Sequence, residues 1–282
     1  MICSNPSWFS TNEYVAVWME GIALIAILAV DAREFWRQGQ ERKKQDFINK
    51  YFELLKIHHD NVAEIELKEE HGRKVFVTLL RELRCIVAIV RTTAAAHGQH
   101  LTNSEVMHVS YYCLFFGVGP NSSRMLKMSL PEFPKGFVDA LEETLNSDAT
   151  KEEARKSRNF RHTPFEGHQS RLGHYYRHLY QMVDYVHQQE INIKKYQYIK
   201  TIRAQLSTHE QALLLVNSLT PIGNKWWTNS LITDYRIVQN IPREFFDSAT
   251  ELECEKLFKA GYFEWEEVGK ETRWATQSPF RN

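Results

Sequence analysis

The chain has 282 residues, and its Lys+Arg and Asp+Glu counts are both 35, so its formal net charge is zero. That balance excludes the global basic field of a dedicated nucleic-acid coat, though not a local basic groove. A hydrophobic content of 43% with 25% charged residues excludes disorder, and a mean hydropathy of −0.46 excludes a polytopic membrane protein. Cys3, Cys85, Cys113 and Cys254 lie far apart without CxxC spacing, which excludes a zinc ribbon and argues against a disulfide framework. Reduced thiols in a cytosolic body are the expectation.

The first element is apolar. Tyr14 to Val30 carries one charge, Glu20, and as a helix covers roughly 25 Å, close to the ~30 Å hydrocarbon thickness of a bilayer. Trp8 and Phe9 precede it, and Phe35 and Trp36 follow it, as candidate interfacial anchors. Arg33, Arg37, Arg42, Lys43 and Lys44 lie on its C-terminal side, and residues 1–13 hold no Lys or Arg. The positive-inside rule then predicts an extracytoplasmic segment 1–13, a transmembrane helix with flank over 14–36, and a cytoplasmic body over 37–282. A cleaved signal peptide would carry its positive charge on the other flank. A buried core helix competes, because a carboxyl at mid-membrane costs on the order of 2–3 kcal/mol. Glu20–Gly21 and the small row Ala23, Ala26, Ala29 suggest a helix–helix contact, hence a homo-oligomer.

The body reads as helical nearly throughout. Phe47, Ile48, Tyr51, Phe52, Leu55, His59 and Val62 recur at three and four until Gly72 breaks the run. Val75 to Val90 forms a second stripe, and a third helix is predicted from Asn103 or Ser104 to about Gly117. GVGPNSS (117–123) is a turn-rich loop, Phe137 to Leu145 is a short amphipathic helix, and the charged stretch 148–163 is predicted as a solvated linker or loop. Helices follow over 168–188 and 191–206, and Ser207 with Glu210 forms a capping box before ALLLVNSL. TPIGNK (220–225) is a loop, and two last helices are predicted near 226–239 and 249–260. The fold class expected is all-α: a helical domain behind one N-terminal transmembrane helix.

Chemistry concentrates in FEGHQSRLGHYYRHLYQMVDYVH (165–187). At 100° per residue its apolar arc holds Leu172, Tyr175, Tyr176, Leu179, Met182, Val183 and Val186, with Arg171, His174 and His178 within about 60° of one another along one edge. Arg177 points elsewhere. Arg171 and His178, seven apart, match the Arg-x(4–6)-His spacing of HEPN-type ribonucleases, which this helix resembles in that respect. Such a site would use imidazole for proton transfer and guanidinium for the pentavalent anion, with RNA as substrate and no metal. Leu172 departs from the polar residue usual after that Arg. Two other readings stay open: His174 and His178 sharing an ion with His162 or His168, or a polar seam between helices. No GxxxxGK[ST], GxGxxG, GxSxG or HExxH pattern occurs, so no cofactor and no metal site is predicted. Trp226 and Trp227 read as core anchors before base-stacking residues.

FELLKIHHDNV (52–62) with GRKVF (72–76) is similar to the opening block of the phage abortive-infection family called AbiC-like. FEGHQSRLGHYYRHLYQMVDYV, IRAQLSTHEQALLLVNSL (202–219) and LITDYRIVQNIP (231–242) continue the same order, so the resemblance spans roughly residues 45–242. It implies an anti-phage role in which infected bacteria stop growing or die, through a helical domain behind a hydrophobic N-terminal region. It stresses His174, Tyr175, Arg177, Tyr180, Arg203, Gln205 and Asn217, and a phenotype rather than a reaction. The combined expectation is a membrane-anchored defence effector of the bacterial inner membrane. It would act either as a ribonuclease toxin through Arg171, His174, Arg177 and His178, or without catalysis. Its expected partners are the membrane, a second copy, RNA and other components of a defence system.

Overall fold

The computed structural model describes residues 11–120 and 122–266, with side chains described from Ala16. The predicted segment 1–13 and its aromatic anchors, Cys3, and the side chains of Tyr14 and Val15 therefore lie outside the described residues or side chains. The chain divides into two compact units: residues up to Glu53 with Glu190–Asn192, and Leu54–Gln189 with Ile193 onward.

The first unit is built on helix α1, which runs Thr11–Glu64 and continues past Glu53 into the second. Val17, Trp18, Ile22, Ile25 and Leu28 on α1 are exposed, so this stretch is not the core helix that competed with a span. Among the described residues no helix is long and apolar enough to cross a membrane. The reason is local. Tyr14 to Val30 rises about 25 Å, short of the ~30 Å hydrocarbon thickness, and contains Glu20, and extending it beyond Val30 takes in Asp31, Arg33 and Glu34. The expected transmembrane helix over 14–36 is thereby corrected, and with it the single-pass inner-membrane location.

The second unit is mostly helical. After α1, Glu66–Leu67 (β1) pairs antiparallel with Glu70–His71 (β2), a hairpin turned at Lys68 with φ +56° that helical periodicity does not reveal. Helix α2 (Arg73–Ala96) buries the expected stripe of Val75, Phe76, Leu79, Leu83 and Val90. Helix α3 (Asn103–Phe116) starts where predicted, but Thr102 is its cap and forms a capping box with Glu105. Helices α4 (Ser123–Met128) and α5 (Lys135–Asn146) follow. The predicted charged linker is in fact helix α6 (Asp148–Arg158). Asp148 in its first turn and Arg155, Lys156 and Arg158 in its last complement the helix dipole, and Asn159 ends it in the left-handed region.

Helices α7 (Gln169–His187), α8 (Lys195–Gln205) and α9 (Thr208–Ser218) match their predicted positions, and Ser207 and Glu210 form the predicted capping box. The last two predicted helices do not extend. They are reduced to α10 (Lys225–Thr228), α11 (Leu231–Asp234) and α12 (Cys254–Leu257), with turns between. Ser230 and Arg236, both at positive φ, interrupt what the apolar spacing suggested was one helix. Helix α9 is buried from Glu210 to Ser218, and its buried polar side chains, Glu210, Gln211, Asn217 and Ser218, all hydrogen-bond within the protein. Helix α2 packs against α3, α5 and α9, and α3 packs also against α7. Cys85, Cys113 and Cys254 are free thiols.

Candidate functional site

Helix α7 carries three faces. Leu172, Tyr175, Leu179, Met182, Val183 and Val186 are buried in the core, as the 100° projection requires. On one flank Arg171 donates from Nε to the Glu66 carbonyl at 2.7 Å, and the His178 ring stands edge-on to His58 with centroids 6.0 Å apart. His178 Nε2 is buried without a hydrogen-bond partner among the described residues. Burial lowers the pKa of His178, and the nearby His174 lowers it further. Arg171 and His178 thus share a face, as a spacing of seven dictates, and that face is turned to the chain segment 58–66. His174 is exposed beside them.

Arg177 is on the far side of the helix. With Gln169, Gly173, Tyr176 and Tyr180 it lines a cleft of about 510 Å³, so the four residues singled out from sequence do not converge. The opposite wall comes from the end of α3 (Phe115, Phe116), from Asn217 at the end of α9, and from the turn leading into α10 (Gly223, Lys225, Trp226). Tyr180 meets the Trp226 ring edge-on at 5.3 Å and accepts from Asn229 Nδ2 at 2.6 Å. Asn217 donates to the Tyr111 hydroxyl at 2.9 Å. Gly223 is required by proximity: a Cβ there would lie 2.3 Å from the Asn217 carbonyl oxygen, so only glycine lets the 220–224 turn seat Lys225 and Trp226 at the cleft.

Of the positions that the family resemblance stressed, Arg177, Tyr180 and Asn217 meet in this cleft. Tyr175 is buried and donates to Glu210 at 3.0 Å. Arg203 is buried and donates from Nη1 to the Tyr235 and Arg236 carbonyls, both at 3.1 Å, which holds the positive-φ turn at Arg236. Gln205 accepts at its carbonyl from Arg73. Reasoning from sequence missed Gln169, Gly173, Tyr176 and Lys225. The spacing of Gln169, Gly173, Tyr176 and Tyr180 (i, i+4, i+7, i+11) was the available signal for a second functional stripe on α7.

A second cluster lies in the interior. Glu82 on α2 is fully buried, and its Oε2 lies 2.6 Å from His162 Nε2 and 3.1 Å from His168 Nε2. Its Oε1 accepts from the Phe165 backbone N–H at 2.8 Å. Burial alone would raise the Glu82 pKa, but the charge on His168 and the hydrogen bonds from both imidazoles outweigh it and hold the carboxyl down to about 2. These three side chains are the donor set that could hold a metal ion among the described residues, their ligand atoms all lying within 4.8 Å of one another. Without an ion the carboxylate is shared between two imidazoles, and His168 Nδ1 is buried without a hydrogen-bond partner among the described residues. His162 and His168 had been weighed as partners of His174 and His178. The structure instead joins them to Glu82, a lone carboxylate inside an apolar stripe.

The fold and the cleft together define a mostly helical protein with a small-molecule-sized pocket rimmed by positive charge. Residues 167–246 match the family model described as "Putative phage abortive infection protein". The matched segment runs from the start of α7 through α11 and supplies most of the cleft wall. No curated protein and no solved structure matches the chain.

Proposed function

We propose that the chain is an effector of bacterial anti-phage defence by abortive infection, and that the cleft on the Arg177 face of α7 is its working site. One observation carries the reading: the segment similar to an abortive-infection family is the segment that folds around this cleft. Gln169, Tyr176, Arg177, Tyr180, Asn217 and Lys225 all fall within residues 167–246. Ligand sites are concave, mostly apolar and furnished with a few convergent polar groups, which describes this cleft.

The test is infection of cells carrying the gene at its native locus. At a low ratio of phage to cells the culture survives; at a high ratio infected cells die without releasing progeny. Arg177→Ala abolishes protection while the chain level stays unchanged. If deleting the gene alters neither phage yield per infected cell nor the survival of infected cells over a broad panel of phages, the reading falls. Protection that survives Arg177→Ala and Lys225→Ala together removes the cleft from the mechanism.

A further inference from the structure

We infer that the cleft between α3, α7 and α10 binds a nucleoside phosphate. The inference rests on the reading of this cleft as the working site and adds the chemistry of its ligand. Two cations, Arg177 and Lys225, line it, and no Asp or Glu is among its lining residues. Neither cation forms an ion pair among the described residues. Surface cations usually sit among carboxylates, so two unneutralised ones on a shared cavity favour an anion. Arginine adds a planar fork of donors that fits phosphate oxygens in pairs.

Much of the remaining wall is aromatic. Phe115, Phe116, Tyr176, Tyr180 and Trp226 line it, with Phe115, Tyr176 and Trp226 buried. The half-buried rings of Phe116 and Tyr180 keep surface that can stack on a nucleobase, an interaction of about 1–3 kcal/mol per base that tolerates any base. Gln169 adds an amide that can both donate to and accept from a base edge.

Size agrees. At about 510 Å³ the cleft falls within the range of small-molecule sites and suits one nucleotide rather than a length of strand. Gly173 stands on its wall: a Cβ there would make ordinary contact with Phe115 Cζ, at 3.8 Å, and a longer side chain would take up cleft volume.

The purified full chain is titrated with nucleoside mono-, di- and triphosphates, adenosine, inorganic phosphate and a 5′-phosphorylated oligonucleotide. Binding is followed by calorimetry and by quenching of tryptophan fluorescence. Nucleoside phosphates bind and quench, while adenosine and phosphate alone bind at least about tenfold more weakly, since each makes only half of the contacts. Arg177→Ala and Lys225→Ala each weaken binding by about tenfold or more. Gly173→Leu, which fills the cleft at a helical position that tolerates leucine, abolishes it without lowering the melting temperature. The inference is overturned if no nucleoside phosphate binds at millimolar concentration, or if both charge variants bind like the wild type. It is also overturned if the oligonucleotide binds far more tightly than any mononucleotide, which would make the ligand a nucleic-acid end. Failure of binding while Arg177→Ala still abolishes phage protection sinks the ligand class alone. Intact binding in a chain that gives no protection sinks the defence role alone.

Discussion

The Tyr175 hydroxyl donates to the Glu210 carboxylate at 3.0 Å, tying α7 to the N-terminus of α9 inside the protein. Glu210 is fully buried and also accepts from the Ser207 N–H at 2.8 Å, with Arg73 Nε 3.5 Å away. One carboxylate therefore serves as helix cap, as acceptor for a buried phenol and as counter-ion. Tyr175→Phe leaves Glu210 its other partners and costs about 1 kcal/mol. Glu210→Ala leaves a phenol and a helix-start N–H unpaired in the interior and costs about 3 kcal/mol or more. Urea unfolding of the two variants checks the order, and equal losses would show that Glu210 acts through the tyrosine alone.

His58 sets a pH dependence. It is buried, with neither ring nitrogen hydrogen-bonded among the described residues, against the rings of Tyr175 at 5.4 Å and His178 at 6.0 Å. Burial, then the charges of His178, Arg73 and His59, push its pKa down to about 4. Between about pH 6.5 and pH 4 the unfolded chain binds a proton that the folded chain refuses, so stability falls as the pH falls through that window. The shift corresponds to on the order of 3 kcal/mol from this one group. His58→Phe removes that share of the acid sensitivity. The check is the difference between the two unfolding free energies at pH 7 and pH 4.5, and a variant as acid-sensitive as the wild type would rule His58 out.

What was legible in the sequence, and what was not, follows from which forces are periodic. Helices α2 and α7 were visible because each buries an apolar face that repeats along the chain, and α3 and α9, buried almost all round, were visible through their capping residues and unbroken apolar runs. Helix α6 was hidden because only Ala154 is buried on it; its stability comes from charges arranged along its dipole, which look like a solvated linker. The exposed apolar stretch of α1 misled in the opposite direction, because the cations from Arg33 onward were read as a membrane-flanking cluster, whereas with Asp31 and Glu34 they cut the apolar run short. At the site, Arg177 was flagged as a candidate catalytic residue and through family resemblance, and Asn217 through family resemblance alone. Their meeting in one cleft depends on how α9 and the 220–224 turn pack against α7, a tertiary fact with no sequence period. Glu82 was passed over because one carboxylate in LLREL resembles an exposed position until His162 and His168 are brought to it.

Glu82 gives a third prediction. Replacing it by Ala deprives His162, His168 and the Phe165 N–H of their common acceptor at once. Removing one member of a buried charged cluster typically costs about 3–5 kcal/mol. Thermal unfolding should therefore show a large drop in midpoint for Glu82→Ala, and hydrogen exchange at residues 160–168 should speed up most, because these residues are held to α2 through this carboxylate. A midpoint within a degree or two of the wild type would mean that the loop is held by other contacts.

The last prediction concerns Gly167, where two costs can be separated. Its φ is +87°, and a Cβ there would fall 2.2 Å from the Phe116 carbonyl oxygen, a backbone atom that cannot swing aside. The neighbouring N–H of His168 bonds the Leu114 and Phe115 carbonyls, both at 3.0 Å, so the loop is pinned to the end of α3 at the point of closest approach. Gly98 is the control, with φ +64° and nothing within 4 Å of its would-be Cβ. Gly98→Ala incurs conformational strain alone, about 1 kcal/mol. Gly167→Ala incurs that strain and also forces apart two backbones that also position Phe115 at the cleft and His168 at Glu82, so it costs several times more. Urea unfolding of the two variants decides the matter: equal destabilisation would show that the loop moves aside freely, and that the close packing of Gly167 on Phe116 is not what holds it.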